Sequence, residues 1–159
     1  MSAIDVVGLI VQDALWSALA AVGFAILFNV PARTLPGCAL GAAAGHVART
    51  LLIEAGMGFE LATLFGATMI GFLGMVFARR WRVPVTMFTI SAAITLVPGT
   101  FAYRTMLGLL QVATAEPDAA EAALVLAAVN AIKTGLTLGA IAVGIAAPRL
   151  LFQRERPVV

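Results

Sequence analysis

The sequence predicts an all-α, polytopic membrane helix bundle of about five transmembrane helices, on the strength of composition, run length and the placement of charge. Of the 159 residues, 62% are hydrophobic and 11% are charged, and the mean hydropathy is +1.03. A soluble domain carries roughly 25% charged residues, whereas here apolar runs exceed the ~18 residues that mark a spanning helix. Lipid is therefore the solvent for most of the chain.

Five apolar stretches follow one another, at about 6–28, 35–53, 59–77, 83–110 and 119–147, and leave no room for a soluble domain between them. The chain reads as a single transmembrane domain over 1–159. The connectors carry helix-breaking and charged residues: Pro31 and Pro36, then Gly56 and Gly58, then Arg79 to Arg82, then Glu116, Pro117 and Asp118. The first stretch has Asp5 and no Lys or Arg ahead of it and is too long for a signal-peptide core, so it is expected to stay as a helix.

The fourth stretch is too long for a straight span, since about 28 residues at ~1.5 Å each give about 42 Å against a ~30 Å hydrocarbon core. Leu96, Val97, Pro98 and Gly99 supply a break at Pro98-Gly99, because proline removes a backbone donor and glycine lets the chain leave helical geometry. Thr34, Leu35, Pro36 and Gly37 form a weaker echo. Paired interruptions of this kind point to the solute site of a transporter, where unwound backbone lines a cavity; a tilted, kinked helix without ligand is the alternative.

Charge sets orientation, because Lys and Arg are retained on the cytoplasmic side. Arg33 follows the first stretch, Arg79, Arg80 and Arg82 the third, and Arg149, Arg154 and Arg156 the fifth, while Asp5, Glu54, Glu60, Glu116, Asp118 and Glu121 occupy the opposite ends. The N-terminus is expected outside and the C-terminus in the cytoplasm. The net charge of +2 and a pI near 9.3 are thus a topology signal and not a nucleic-acid surface.

Two stripes of small residues suit helix packing in lipid, where close approach takes the place of water expulsion. Gly37, Gly41 and Gly45 recur at four-residue spacing on the second helix, and Ala127, Ala131, Gly135 and Gly139 run down the fifth. A partner within the chain and another subunit are both compatible with them. Five short helices rich in Gly and Ala barely enclose a solute path, so an oligomer or a larger partner is expected.

Ionisable groups at membrane depth cost several kcal/mol and are functional candidates by default. Asp13 lies inside the first helix, His46 and Arg49 inside the second, Tyr103 and Arg104 just after the break, and Asn130 and Lys133 with Thr134 and Thr137 on one face of the fifth. On the functional reading, Arg104, Lys133 and Arg49 attract a carboxylate, with Asn130, Tyr103 and the backbone freed at Pro98 and Gly99 completing the substrate site. Asp13 and His46 then carry a coupling proton, as a buried carboxyl and an imidazole can. On the structural reading, Asp13 pairs with Lys133 or Arg104, Arg49 and Arg104 snorkel outward, and His46 bonds a neighbouring carbonyl.

Enzymatic and metal chemistry are not expected. No GxSxG elbow, HExxH pair, Walker loop or CxxC motif occurs. Cys38 stands alone and His46 is the one histidine, so no cofactor or metal is called for.

The strings Gln12-Asp13, Ala21 to Ala25, Phe28-Asn29-Val30-Pro31, Cys38-Ala39-Leu40, Gly45-His46 with Arg49, and Val97-Pro98-Gly99 with Ala102-Tyr103 occur in an order and spacing that resembles the small, YjjB-like subunit of the threonine/serine exporter (ThrE) family. The resemblance runs nearly end to end, through Arg154-Glu155-Arg156-Pro157. It implies a secondary exporter in the bacterial inner membrane that works with a larger YjjP-like subunit and moves succinate or a related dicarboxylate; fused relatives export threonine and serine. It points to Asp13, Asn29, Pro31, Gly45, His46, Arg49, Pro98, Gly99 and Tyr103. Thr95, where relatives often have proline, and Lys133, at an expectedly neutral position, depart from the pattern.

Overall fold

The computed structural model describes residues 3–114 and 116–152, which form α-helices and two 3₁₀ turns with no strand among them. The order is α1 (Ala3–Leu27), a 3₁₀ turn (Ala32–Thr34), α2 (Leu35–Glu54), α3 (Phe59–Trp81), α4 (Thr86–Ala93), a second 3₁₀ turn (Ile94–Leu96), α5 (Gly99–Thr114) and α6 (Pro117–Phe152). The basic tail at Arg154 and Arg156 lies outside the described residues.

Among the described residues, three helices are long and apolar enough to cross a membrane unaided: Asp5–Leu27, Phe59–Trp81 and Ala119–Phe152. Thr86–Leu96 with Gly99–Thr114 makes a fourth if the broken pair counts as one span. The remaining expected span, α2, is 20 residues long and less apolar, because it carries His46, Arg49 and Glu54 among Ala and Gly. Its neighbours bury His46 and partly cover Arg49, while Glu54 in the last turn is exposed. The long fourth stretch is interrupted at Val97 and Pro98, so that Gly99 opens α5. The last helix is longer than its apolar core suggests, at 36 residues or about 54 Å.

Three helices stop by the same device. Asn29, Gly56 and Arg82 adopt φ of 57°, 90° and 54°, the left-handed conformation that ends a helix. The next amide in each case reaches back five residues: Val30 N to Ala25 O at 2.9 Å, Met57 N to Leu52 O at 2.9 Å, and Val83 N to Ala78 O at 3.2 Å. Asparagine tolerates this geometry better than other side-chain-bearing residues, which gives Asn29 a structural reason to be where it is.

The chain divides into two compact units, one of residues up to Leu96 together with those from Ala140 onward, the other Val97–Gly139. In the first, α2 packs against α1, α3 and α4. Its glycine stripe makes this possible. A methyl group on Gly45 would come 2.5 Å from Ile70 and 3.0 Å from the Gly66 carbonyl oxygen, and one on Gly66 would come 2.6 Å from the Gly45 oxygen. Gly37 faces the Phe88 ring equally closely, while Gly41 has only ordinary contact with Ala92. Small side chains continue the theme: Ala21, Ala42, Ala67 and Ala92 meet Ile70, Leu96 and Ile141 in one buried cluster.

A second cluster unites Ala25, Cys38, Ala78 and Phe88 with Val30, Leu35, Trp81 and Val83. It brings the turn after α1 and the turn after α3 to the same end of the unit, so exposed Arg33, Arg79, Arg80 and Arg82 share that end. In the second unit, α5 approaches α6 where a methyl group on Gly108 would lie 2.8 Å from Ala127. Gly135 and Gly139 have nothing within 4 Å of such a methyl group.

Gly66→Ala is expected to lower the thermal stability of the detergent-solubilised protein by about 1–3 kcal/mol, since the clash is with backbone and cannot relax by a rotamer change. Gly135→Ala and Gly139→Ala are expected to be neutral, or stabilising by up to ~1 kcal/mol through helix propensity. Circular-dichroism melting of the three variants in parallel checks the contrast.

Candidate functional site

The break after α4 creates the first element of the site. In an unbroken helix the Thr95 carbonyl would accept from the amide of Gly99. Pro98 prevents that continuation, since its ring clashes with the preceding turn and it has no N–H. The Gly99 amide turns to Val97 O instead, at 2.8 Å. The oxygen of Thr95 is left with a vacant lone pair facing α2, and His46 Nε2 lies 3.0 Å from it.

The second element is a carboxylate on α1. Asp13 Oδ1 lies 3.2 Å from His46 Nδ1, and Asp13 Oδ2 accepts from the Thr50 hydroxyl at 2.6 Å. His46 and Thr50 are four residues apart and so share a face of α2. The third element is Arg49, whose Nη2 stands 3.1 Å from the same His46 Nδ1 and whose guanidinium carbon sits 5.5 Å over the Phe59 ring. The side chain of His46 is 10% exposed and that of Asp13 is 26% exposed. One carboxylate, one imidazole and one guanidinium are thus joined through α1, α2 and the 3₁₀ turn.

An open cleft of about 270 Å³ reaches the cluster, lined by Leu9, Gln12, Asp13, Trp16 and Thr50. A larger cavity, about 580 Å³, lies elsewhere between Leu51, Phe65, Phe72 and Phe152. Its lining is apolar apart from Thr68, whose hydroxyl is spent on the Leu64 carbonyl of its own helix at 2.8 Å. That cavity offers a hydrocarbon chain a seat but offers a polar solute nothing. Among the described residues no group of His, Cys, Asp and Glu side chains could hold a metal ion.

The fold brings together Asp13, His46 and Arg49 of the residues singled out from the sequence. Arg104, Lys133, Asn130 and Tyr103 belong to the other unit. There Arg104 and Tyr103 are exposed, and Lys133 Nζ lies 5.4 Å over the Phe101 ring. Asn130 donates to the Leu126 carbonyl at 2.8 Å, and the hydroxyls of Thr134 and Thr137 bond the carbonyls one turn back. Most of that polar face is therefore satisfied within α6. Pro31 accepts the Thr34 hydroxyl at 2.7 Å at the start of α2. Thr50 and the Thr95 carbonyl are the members of the site that sequence reasoning missed. Spacing could have found Thr50, one turn beyond His46; nothing in the sequence pairs Thr95 with His46.

A family model described as "Threonine/Serine exporter, ThrE" matches residues 13–151, from the cluster's own Asp13 to the last turn of α6. The chain belongs to the ThrE family. An uncharacterised protein of Haemophilus influenzae is 41% identical over 151 residues, which cover 94% of this chain and 50% of that protein. The chain thus spans about half the length of this curated relative. No solved structure matches it. Membership in a family described as an exporter agrees with the apolar, membrane-crossing helices.

Thr50→Val keeps the shape of the side chain but leaves Asp13 Oδ2 without its donor. For a partly buried carboxylate this is expected to cost about 1–3 kcal/mol of stability, with Thr50→Ser restoring most of it. Thermal unfolding monitored in a single detergent distinguishes the two.

Proposed function

We propose that the chain is a membrane subunit of a secondary exporter of small carboxylates, succinate or a related dicarboxylate, working with a larger YjjP-like subunit in the bacterial inner membrane. The observation that carries this reading is the placement of Arg49 beside a proton-accepting pair, Asp13 and His46, within one polar cluster at membrane depth. A guanidinium presents paired N–H groups that match a carboxylate, and an imidazole is the side chain suited to carry a proton near neutral pH. Arg49 binds the solute's carboxylate, and Asp13 with His46 carries the coupling proton. Arg104 and Lys133 add positive charge that draws anions.

The partner is supported by two facts. This chain accounts for only half of its relative's length, and a bundle with so few spans has little interior to enclose a solute path. Arg33 and the Arg79 to Arg82 group share one end of the first unit, which by the positive-inside rule is the cytoplasmic end. That orientation places the N-terminus outside and the C-terminus inside.

A second reading, export of threonine or serine, is favoured by one feature: the cleft beside the cluster opens on a carboxylate, Asp13, together with the Trp16 ring and the Thr50 hydroxyl. Such a lining suits an ammonium group.

Uptake of radiolabelled succinate, threonine and serine into inverted vesicles under an imposed proton gradient decides between these readings. Succinate uptake that requires both this chain and its partner is expected, and Arg49→Gln is expected to raise the half-saturating concentration ten- to a hundredfold, the loss of about 1.5–3 kcal/mol for a charged hydrogen bond. Arg104→Gln and Lys133→Gln are expected to act more weakly. Uptake of threonine and serine without succinate would transfer the assignment to the second reading, and transport untouched by Arg49→Gln would remove the site.

A further inference from the structure

We infer that His46 holds Arg49 in its neutral state and releases it to the solute's carboxylate when protonated, so that a proton and a carboxylate enter the site together. The carboxylate half rests on the function proposed above; the exchange of partners rests on geometry alone.

The argument begins at Nε2. The Thr95 oxygen 3.0 Å away can only accept, so Nε2 carries a hydrogen whenever that bond is made. The variable position is Nδ1, which has one in-plane site, either a lone pair or a hydrogen. Two groups compete for it: Asp13 Oδ1 at 3.2 Å, an acceptor, and Arg49 Nη2 at 3.1 Å, a donor. Both cannot be hydrogen-bonded at once. With the ring neutral, Nδ1 accepts from Arg49, and Asp13 is held through Thr50 at 2.6 Å. With the ring protonated, Nδ1–H donates to Asp13, and the Arg49 N–H meets a hydrogen and a like charge where it had a lone pair.

Arg49 does not lose its seat when this happens. Its stem packs beside Gly66, where a methyl group would come 3.3 Å from Arg49 Cβ, and its head lies over Phe59. The guanidinium therefore turns in place and exposes paired N–H groups. The charged and titratable groups around His46 are Asp13 from α1 and Arg49 on α2 itself. The 3₁₀ turn contributes a neutral carbonyl. On α3 the ionisable residues Glu60, Arg79 and Arg80 lie in its first and last turns, and α4 has none. The cluster thus passes from net zero to +1 when it takes a proton from solvent, and a bound carboxylate returns it to zero. When the solute leaves, the proton returns to solvent and Arg49 returns to Nδ1.

His46 is the one histidine in the sequence, so ring-¹⁵N spectra of the full chain in nanodiscs, with its partner where the two co-purify, report this site unambiguously. The neutral ring is expected to carry its hydrogen on Nε2 with Nδ1 bare. In the absence of solute, Arg49→Gln is expected to enlarge the doubly protonated fraction at fixed pH, and Asp13→Asn to diminish it. At the pH where half of the rings are doubly protonated, saturating succinate is expected to raise that fraction to about nine-tenths for a tenfold coupling, and to do nothing in Arg49→Gln. A neutral ring with its hydrogen on Nδ1, or Arg49→Gln spectra identical to wild type without solute, would overturn the exchange. Succinate that binds, by its own line broadening, without changing the ring would overturn the linkage while leaving the proposed function intact. Absence of succinate binding would overturn both.

Discussion

The carbonyl of Thr95 is the point on which the site depends. A helix that continued past Pro98 would engage one lone pair of that oxygen in its own ladder and aim the carbonyl along the helix axis, leaving it less available to His46. Because the ladder stops, an acceptor becomes available inside a medium that offers no water to satisfy it, where an unpaired carbonyl costs several kcal/mol. His46 Nε2 meets the need at 3.0 Å. That bond fixes the ring, and the fixed ring sets where Nδ1 can find Asp13 and Arg49.

Close backbone approach makes the arrangement possible. Asp13 and Thr50 have short side chains, and a 2.6 Å bond between them requires α1 and α2 to lie near one another. The contact of α2 with α3, carried by Gly45 and Gly66, leaves no space for a side chain on either. In lipid such packing is itself the driving force for helix association. The same glycines therefore hold the bundle together and present a polar network with little intervening bulk. Among the described residues no buried side-chain nitrogen or oxygen lacks a partner, which is the condition for keeping such a network in an apolar interior.

The outer faces follow the opposite rule. Leu15, Leu19 and Ile26 on α1, Leu61 and Phe65 on α3, and Leu136 and Leu138 on α6 are all exposed in the isolated chain. In water they would be a liability, but against acyl chains or another membrane subunit they are at home. Exposed apolar side chains of this kind fit a membrane protein of the ThrE family.

Hydropathy runs, basic clusters and the proline-glycine break were legible in the sequence because each is a one-dimensional consequence of bilayer thickness, insertion rules or backbone sterics. Those constraints determined by themselves that the chain is a helical membrane protein and that its fourth apolar stretch is broken. The membership of the site was legible only in part. Asp13, His46 and Arg49 stood out as costly residues at membrane depth, but their mutual contact did not, since Asp13 and His46 are separated by 33 positions and a turn. Pairing Asp13 with Lys133 or Arg104 was as reasonable from charge alone. Which carboxylate meets which cation depends on how the helices rotate about their axes, and that rotation is set by where Gly45, Gly66 and the small side chains of α1 and α4 allow close approach. Only the tertiary structure decided it, and only the tertiary structure could place the backbone oxygen of Thr95, which no side-chain pattern encodes, against an imidazole on another helix.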